Sequence, residues 1–325
     1  MSKLVTIFGG SGFVGRYIAR RLAKQGWRVR VAVRRPNEAI HVKPYGVPGQ
    51  VEPVLCNIRD DASVAAVMNG ADAVVNCVGI LAEAGKNSFE AVQAEGAGRV
   101  ARIAASQGVA QMVHLSAIGA DAGSDSDYAR TKAEGEANVL AAFPAAVILR
   151  PSIIFGAEDD FFNRFAGMMG PVLPLVGGNT KFQPVYVDDV AQAAVQAVEG
   201  NVAAGIYELG GPDVDSMKGL MATMLAEIRR RKLVVNLPFF AGAMMGWGFD
   251  LVKALSFGLI KGPITKDQVK LLRNDNVVGA EAKGFADLGI TPVAMEAVLP
   301  DYLWRFRPSG QYLAIKESAK NLRHG

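Results

Sequence analysis

The chain has 325 residues, half of them hydrophobic and one-fifth charged, with 36 glycines and 15 prolines spread along it. That length holds a domain of about 200–250 residues plus a smaller lobe, and the composition excludes a disordered chain, a coiled coil or a collagen-like repeat. The formal charge of +4 comes from residues 302–325, where five basic side chains stand against one carboxylate, so the body is nearly neutral and nucleic acid is not an expected partner.

Leu4–Phe8 is an apolar run that predicts a strand at once, leaving no room for a transit or signal segment before it. Residues 16–25 follow with helical spacing, and Arg28–Val33 alternates as a strand does. The pattern continues with a strand at 51–55, a helix at 62–68, a buried strand at 73–77 and a long helix over 89–107. A strand at 112–115, a helix from 126 to about 142 and a strand at 146–149 complete the first half. Strands alternating with helices predict an α/β fold, a doubly wound parallel sheet of Rossmann type, over residues 1–150. Beyond Pro151, turns at Gly170-Pro171, Leu173-Pro174 and Gly177-Gly178 separate helices predicted at 217–229, 244–256 and 265–272. Residues 151–325 are expected to form a smaller, mainly helical C-terminal lobe, with some segments returning to the sheet.

Cys56 and Cys77 form no C-x-x-C pair and are expected to be small buried side chains in a reducing compartment. His41, His114 and His324 lie far apart without ligand spacing, so no metal site is expected. The apolar run at 237–249 is thirteen residues long, short of the roughly twenty that a spanning helix needs. The chain is therefore expected to be soluble or to lie on a membrane.

The strongest chemical signal is FGGSGFVGR, residues 8–16. Gly9, Gly12 and Gly15 give G-x-x-G-x-x-G, and Gly10, Gly12 and Gly15 also satisfy G-x-G-x-x-G, between a strand and a helix at the start of a βαβ unit. Without side chains there, backbone N–H groups reach a pyrophosphate and the helix N-terminus favours its charge. An NAD site of this design carries a carboxylate about twenty residues on. Here the second strand ends in Arg34-Arg35, whose guanidiniums suit a 2′-phosphate, so NADPH (NADP) is the expected cofactor and NAD, through Glu38, the lesser choice. Asn57 and Ile58 are expected to flank the adenine, and Cys77, Val78 and Gly79 to close the fourth strand against the cofactor.

Tyr128 and Lys132 form Y-x-x-x-K, one face of a helix. An ammonium there lowers the phenol's pKa and holds the nicotinamide ribose, which makes the tyrosine a proton donor or acceptor for a carbonyl. With the glycine motif, Gly79, His114-Leu115-Ser116 and Arg150-Pro151-Ser152, in that order, the chain resembles the extended and atypical short-chain dehydrogenase/reductase superfamily over essentially its whole length. HLSAIGAD (114–121), RPSIIFGAEDDFFNRF (150–165) and PITKDQVKLLRNDNVV (263–278) resemble, more narrowly, the NADPH-binding accessory subunit of respiratory NADH:ubiquinone oxidoreductase (complex I), the alpha subcomplex subunit 9 family. The resemblance implies a cofactor-binding set of Gly9, Gly10, Ser11, Gly12, Phe13, Val14 and Gly15, then Arg34, Arg35, Asn57, Ile58, Cys77, Val78 and Gly79. It continues with Leu115, Ser116, Tyr128, Lys132, Pro151 and Ile153. Active members place a hydroxyl two residues beyond Ser116, where this chain has Ile118; Ser124 and Ser126 are the substitutes within reach. Tyr128 and Lys132 are then vestigial as catalysts and serve mainly to position the cofactor.

Arg229-Arg230-Arg231-Lys232 precedes an apolar stretch with Phe239, Phe240, Met244, Met245 and Trp247, followed by Lys253 and Lys261. The pairing suits a membrane surface, anionic lipid or a partner's groove, with a buried helix as the plain alternative. Residues 165–178 offer a second apolar stretch, and Tyr302, Trp304, Phe306 and Tyr312 lie among basic residues in a segment expected to anchor on a neighbour or to fray. The resemblance implies a non-catalytic NADPH-binding accessory subunit of complex I. Its partners would be the other subunits, and it would stabilise the peripheral arm near its membrane junction, peripherally on the cytoplasmic face of a bacterial inner membrane. The alternatives are an NADPH-dependent reductase or isomerase of a quinone- or isoprenoid-like substrate, and an NADP(H)-sensing regulatory protein.

Overall fold

A computed structural model describes residues 2–244, 247–248, 265–308 and 310–312. Its central sheet is built from β1 (Leu4–Phe8), β2 (Arg28–Val33), β3 (Val51–Leu55), β4 (Ala73–Asn76), β5 (Gln111–Leu115) and β6 (Val147–Pro151), joined by a late strand at Gly205–Leu209. Across the sheet the order is β3-β2-β1-β4-β5-β6 and then the late strand, all pairs parallel. Strand order reverses between β1 and β4, which opens a crevice beyond their carboxyl ends. Both strands are buried along their whole length, the reason they read as continuous apolar runs.

Two helical layers cover the sheet. On one face, Val14, Ile18 and Leu22 of α1 (Phe13–Lys24) share a core with Val190, Ala194 and Ala197 of a late helix, Val187–Val198. Arg21 closes that contact with a bidentate pair to Asp188, both bonds 2.7 Å. On the other face, α2 (Asp61–Met68), α3 (Glu95–Ser106) and α4 (Asp127–Ala142) bury Val64, Met68, Val100, Ala104 and Val139. The second half of the chain thus supplies one strand and one helix to the sheet layer. A third core, with Phe155, Phe162, Leu173, Leu220, Met221 and Leu303, belongs to the second lobe.

Several elements differ from their sequence pattern. The helix expected over 89–107 starts with a π turn, Glu90–Ala94, in which the Glu95 N–H reaches back five residues to the Glu90 carbonyl. The turn lies where the Gln93 carbonyl rests against Gly135 of α4, a place with no room for a Cβ. The helix expected over 217–229 is Met217–Glu227 and ends at Arg229, whose φ of 50° leaves the helical region. The helix expected at 244–256 falls outside the described residues apart from Met244, Trp247 and Gly248. The aromatic and basic C-terminal segment is docked rather than loose as far as Arg307. Tyr302 is buried and donates to Asp159 at 2.5 Å, Phe306 packs on the third core, and Arg307 pairs with Glu227. Among the described residues, no helix is long and apolar enough to cross a membrane.

Candidate nucleotide site

The turn from β1 into α1 forms one wall of a cleft of about 550 Å³, within the ordinary range for small-molecule sites. Gly9 has φ 74°, a left-handed conformation that glycine adopts without strain. Its N–H bonds the Ala32 carbonyl at 3.0 Å, and its carbonyl accepts from the Gly12 N–H at 3.0 Å. A Cβ at Gly15 would stand 2.7 Å from the Gly10 Cα, so α1 seats on the turn only because that side chain is missing. The helix has no side-chain N-cap bond and no acid in its first turn. Its leading N–H groups and positive dipole end therefore remain available to an anion.

Gly9, Ser11 and Gly12 line the cleft with Arg34 and Arg35 from the end of β2, Ile58 after β3, and Cys77, Val78 and Gly79 after β4. The two arginines differ. Arg35 pairs with Glu38 at 2.9 Å, whereas Arg34 has no ion-pair partner among the described residues. Cys56, from the strand end expected to flank the adenine, also lines the cleft, as do Glu38, Asn87 and Val92. Asn87 and Val92 carry no sequence signal, because the 80–94 segment reaches the cleft only through the fold.

Other predicted residues sit around rather than along this wall. Gly10 and Gly15 pack the turn, Val14 enters the α1 core, and Phe13 stacks edge-on with Tyr17. The Asn57 side chain accepts from the Arg59 N–H at 3.2 Å in a local turn. Pro151 is buried at the end of β6, and Ile153 packs on the third core.

Lys132 is buried, and its Nζ donates to the Leu115 carbonyl at 3.1 Å. A Cβ at Gly79 would stand 3.5 Å from that Nζ, an ordinary contact, so the ammonium lies beside a residue of the cleft wall. Burial lowers the Lys132 pKa to about 8, opposed by the nearby Glu136 carboxylate. Glu136 itself is buried and held by Arg150 through bonds of 2.9 and 2.6 Å. Tyr128, four residues earlier, sets its ring edge-on to Phe89 at 5.9 Å. Burial pushes its phenol up to about 12. This is opposite to the lowering expected from a neighbouring ammonium, because the Lys132 head group is turned to Leu115.

Beneath them, His114 is buried and neutral, its pKa lowered to about 3 by burial and by Lys132. Its Nδ1 accepts from Asn76 Nδ2 at 3.2 Å. Among the described residues, His114 Nε2, Ser116 Oγ and Gln93 Oε1 are buried without hydrogen-bond partners, and such groups commonly mark the place of a polar occupant. Where active relatives would carry a hydroxyl, Ile118 is buried with its N–H on the Pro151 carbonyl. Of the two substitutes, Ser126 Oγ donates to Asp267 and caps α4, while Ser124 Oγ accepts from the Ser126 N–H at 3.2 Å. Among the described residues no cluster of His, Cys, Asp and Glu could hold a metal.

A glycine turn on a topological switch point, a tight β1–α1 contact and a buried lysine at the opposite edge define a dinucleotide-binding protein. Residues 5–210 match the NAD dependent epimerase/dehydratase family, and the chain belongs to that family of extended short-chain dehydrogenase/reductase proteins. It is 37% identical over 326 residues to the mitochondrial NADH dehydrogenase (ubiquinone) 1 alpha subcomplex subunit 9 of Arabidopsis thaliana, covering 98% of this chain and 81% of the plant protein. It is 31% identical over 267 residues to a ceramide reductase of Caulobacter vibrioides, covering 79% of this chain and 82% of that protein. In fold it matches the dTDP-glucose 4,6-dehydratase DesIV of Streptomyces venezuelae, solved with NAD bound. That match has a TM-score of 0.71 and 20% identity over 96% of this chain and 99% of the other.

Proposed function

We propose that this protein is an accessory subunit of a complex I-type NADH:ubiquinone oxidoreductase that holds NADPH as a structural ligand. The 37% identity to the plant subunit, extending over nearly the whole chain, supports the subunit role. The observation that carries the non-catalytic part is Ile118 in place of the expected hydroxyl, with Ser126 Oγ committed as donor to Asp267 and as cap of α4. The hydroxyl that would orient a substrate carbonyl is missing from position 118, and burial raises the phenol to about 12, away from neutral pH. The unpaired Arg34 supports a 2′-phosphate and hence NADPH over NAD. A ligand that binds only the folded chain stabilises it by mass action, which is the service such a subunit needs from its nucleotide.

Phe240, Met244 and Trp247 are 70%, 69% and 63% exposed, shortly after the run from Arg229 to Lys232. Exposed apolar side chains beside a basic run support a contact with neighbouring subunits and anionic lipid. On this reading the protein is peripheral, on the cytoplasmic face of a bacterial inner membrane, where the peripheral arm meets the membrane. The test is affinity purification from mildly solubilised membranes, with mass spectrometry of proteins and released nucleotide. Recovery of complex I subunits with near-stoichiometric NADP(H) supports the proposal, and a lone protein with exchangeable nucleotide overturns it. A reductase of a lipid-like carbonyl is the second reading, favoured by the 31% identity to the ceramide reductase. It requires NADPH oxidation that is lost in Tyr128→Phe.

A further inference from the structure

We infer that Asp267 is a positioning residue of the nucleotide site, delivered from the C-terminal half of the chain to terminate the helix that carries Tyr128 and Lys132. The inference rests on the nucleotide-binding reading above. Asp267 Oδ1 accepts from the Asp127 N–H at 2.8 Å, and its Oδ2 accepts from the Ser126 hydroxyl at 2.8 Å and the Tyr128 N–H at 3.2 Å. Ser126 Oγ in turn accepts from the Ala129 N–H at 3.4 Å, and the Ser126 carbonyl from the Arg130 N–H at 3.0 Å. The leading donors of α4 are thus satisfied by a capping serine and by a carboxylate about 140 residues away in sequence. A negative charge at that end also complements the helix dipole.

The same segment grips the loop between β5 and α4 at two more points. Lys270 Nζ donates to the Asp125 carbonyl at 2.8 Å, and Asn276 Nδ2 to the Ile118 carbonyl at 3.1 Å. On its other side it is tied to the second lobe, where Ser152 Oγ donates to the Asn276 carbonyl at 2.9 Å and Thr180 Oγ1 to the Leu272 carbonyl at 2.5 Å. Residues 265–276 therefore form a strap that fixes the lysine-bearing end of the cleft from outside the sheet. The bonds made by Asp267, Lys270, Leu272 and Asn276 go to the β5–α4 loop, α4 and the second lobe, so their effect falls on one half of the ligand.

The experiment uses the full chain and two probes: NADPH, followed by its nicotinamide fluorescence, and adenosine 2′,5′-bisphosphate, which has no nicotinamide half. Asp267→Ala is expected to weaken NADPH about tenfold, the equivalent of a lost helix cap. It should also reduce the fluorescence enhancement of the bound nicotinamide and leave the bisphosphate affinity within about twofold. Asp267→Asn, which still offers an oxygen acceptor, should recover most of the loss. Ser126→Ala, which keeps the strap and removes one donor, should show the same split at smaller size. Unchanged NADPH affinity, or an equal loss for both probes in all three variants, overturns the inference. If the unaltered chain binds neither probe, the nucleotide reading itself falls and takes the inference with it.

Discussion

At the glycine-turn end of the cleft, Gly9, Gly12 and Gly15 let backbone meet backbone, α1 offers bare N–H groups, and Arg34 has no ion-pair partner among the described residues. At the α4 end the lysine is present, but the hydroxyl position is Ile118, Ser126 is tied into the helix cap and the phenol is pushed up to about 12. On the proposed reading, the first region grips the dinucleotide and the second holds its far half without the hydroxyl that orients a substrate, so turnover can be lost while binding is kept. The two regions also differ in what holds them. The turn is built from residues within a dozen positions, whereas α4 depends on Asp267 from the far half of the chain.

The sharpest way to break this contrast is Gly15→Ala. Its Cβ would collide with the backbone of Gly9 and Gly10, so the variant should lose about 2–3 kcal/mol of stability, as overpacked cores do. Thermal unfolding should report that loss, and a nucleotide titration should find no binding.

Lys132→Met acts in the opposite direction on stability. The lysine's pKa of about 8 in the folded protein lies below its ordinary 10.5, so the unfolded chain binds the proton more tightly between those values. Its contribution to stability is therefore full above pH 10.5, falls as pH drops toward 8, and at pH 7 stands as a cost. Removing the charge should stabilise the ligand-free protein at pH 7 by about 2 kcal/mol, an advantage that disappears in denaturation curves taken from pH 8 to 10.5. Glu136 stays satisfied in that variant because Arg150 holds it. NADPH affinity should nevertheless fall, since an ammonium at the cleft edge is gone.

Arg34→Ala should weaken NADPH about tenfold, as loss of charge-assisted hydrogen bonds does, with little effect on NADH. Arg35→Ala should do less, because Arg35 is already paired with Glu38. Calorimetric titration with both nucleotides separates the two. The smallest effect belongs to Tyr128→Phe. If the site binds without turning over, NADPH affinity should change by less than about threefold, within the worth of one hydrogen bond. A large loss would return the phenol to the working machinery.

Much of this was readable before any coordinates. The six strands of the first half fall within a residue or two of their sequence patterns, β1 and β4 because fully buried parallel strands are apolar throughout, and β2 because it alternates. The glycine turn is legible because it is local: spacing within a dozen residues fixes which backbone groups approach. The split between Arg34 and Arg35 is not, since adjacent identical side chains differ only in what stands beside them. The π turn at Glu90–Ala94 is equally silent, being a response to the close approach at Gly135.

By itself, then, the sequence determined the doubly wound sheet, the dinucleotide turn and the helix with Tyr128 and Lys132 on one face, all consequences of short-range periodicity and of glycine's missing side chain. Only the tertiary structure decided that Val187–Val198 and Gly205–Leu209 complete the sheet layer, that the phenol is raised rather than lowered, and that Asp267 ends α4. Those outcomes depend on contacts between distant segments and on burial, and neither is written in the spacing of any one stretch of residues.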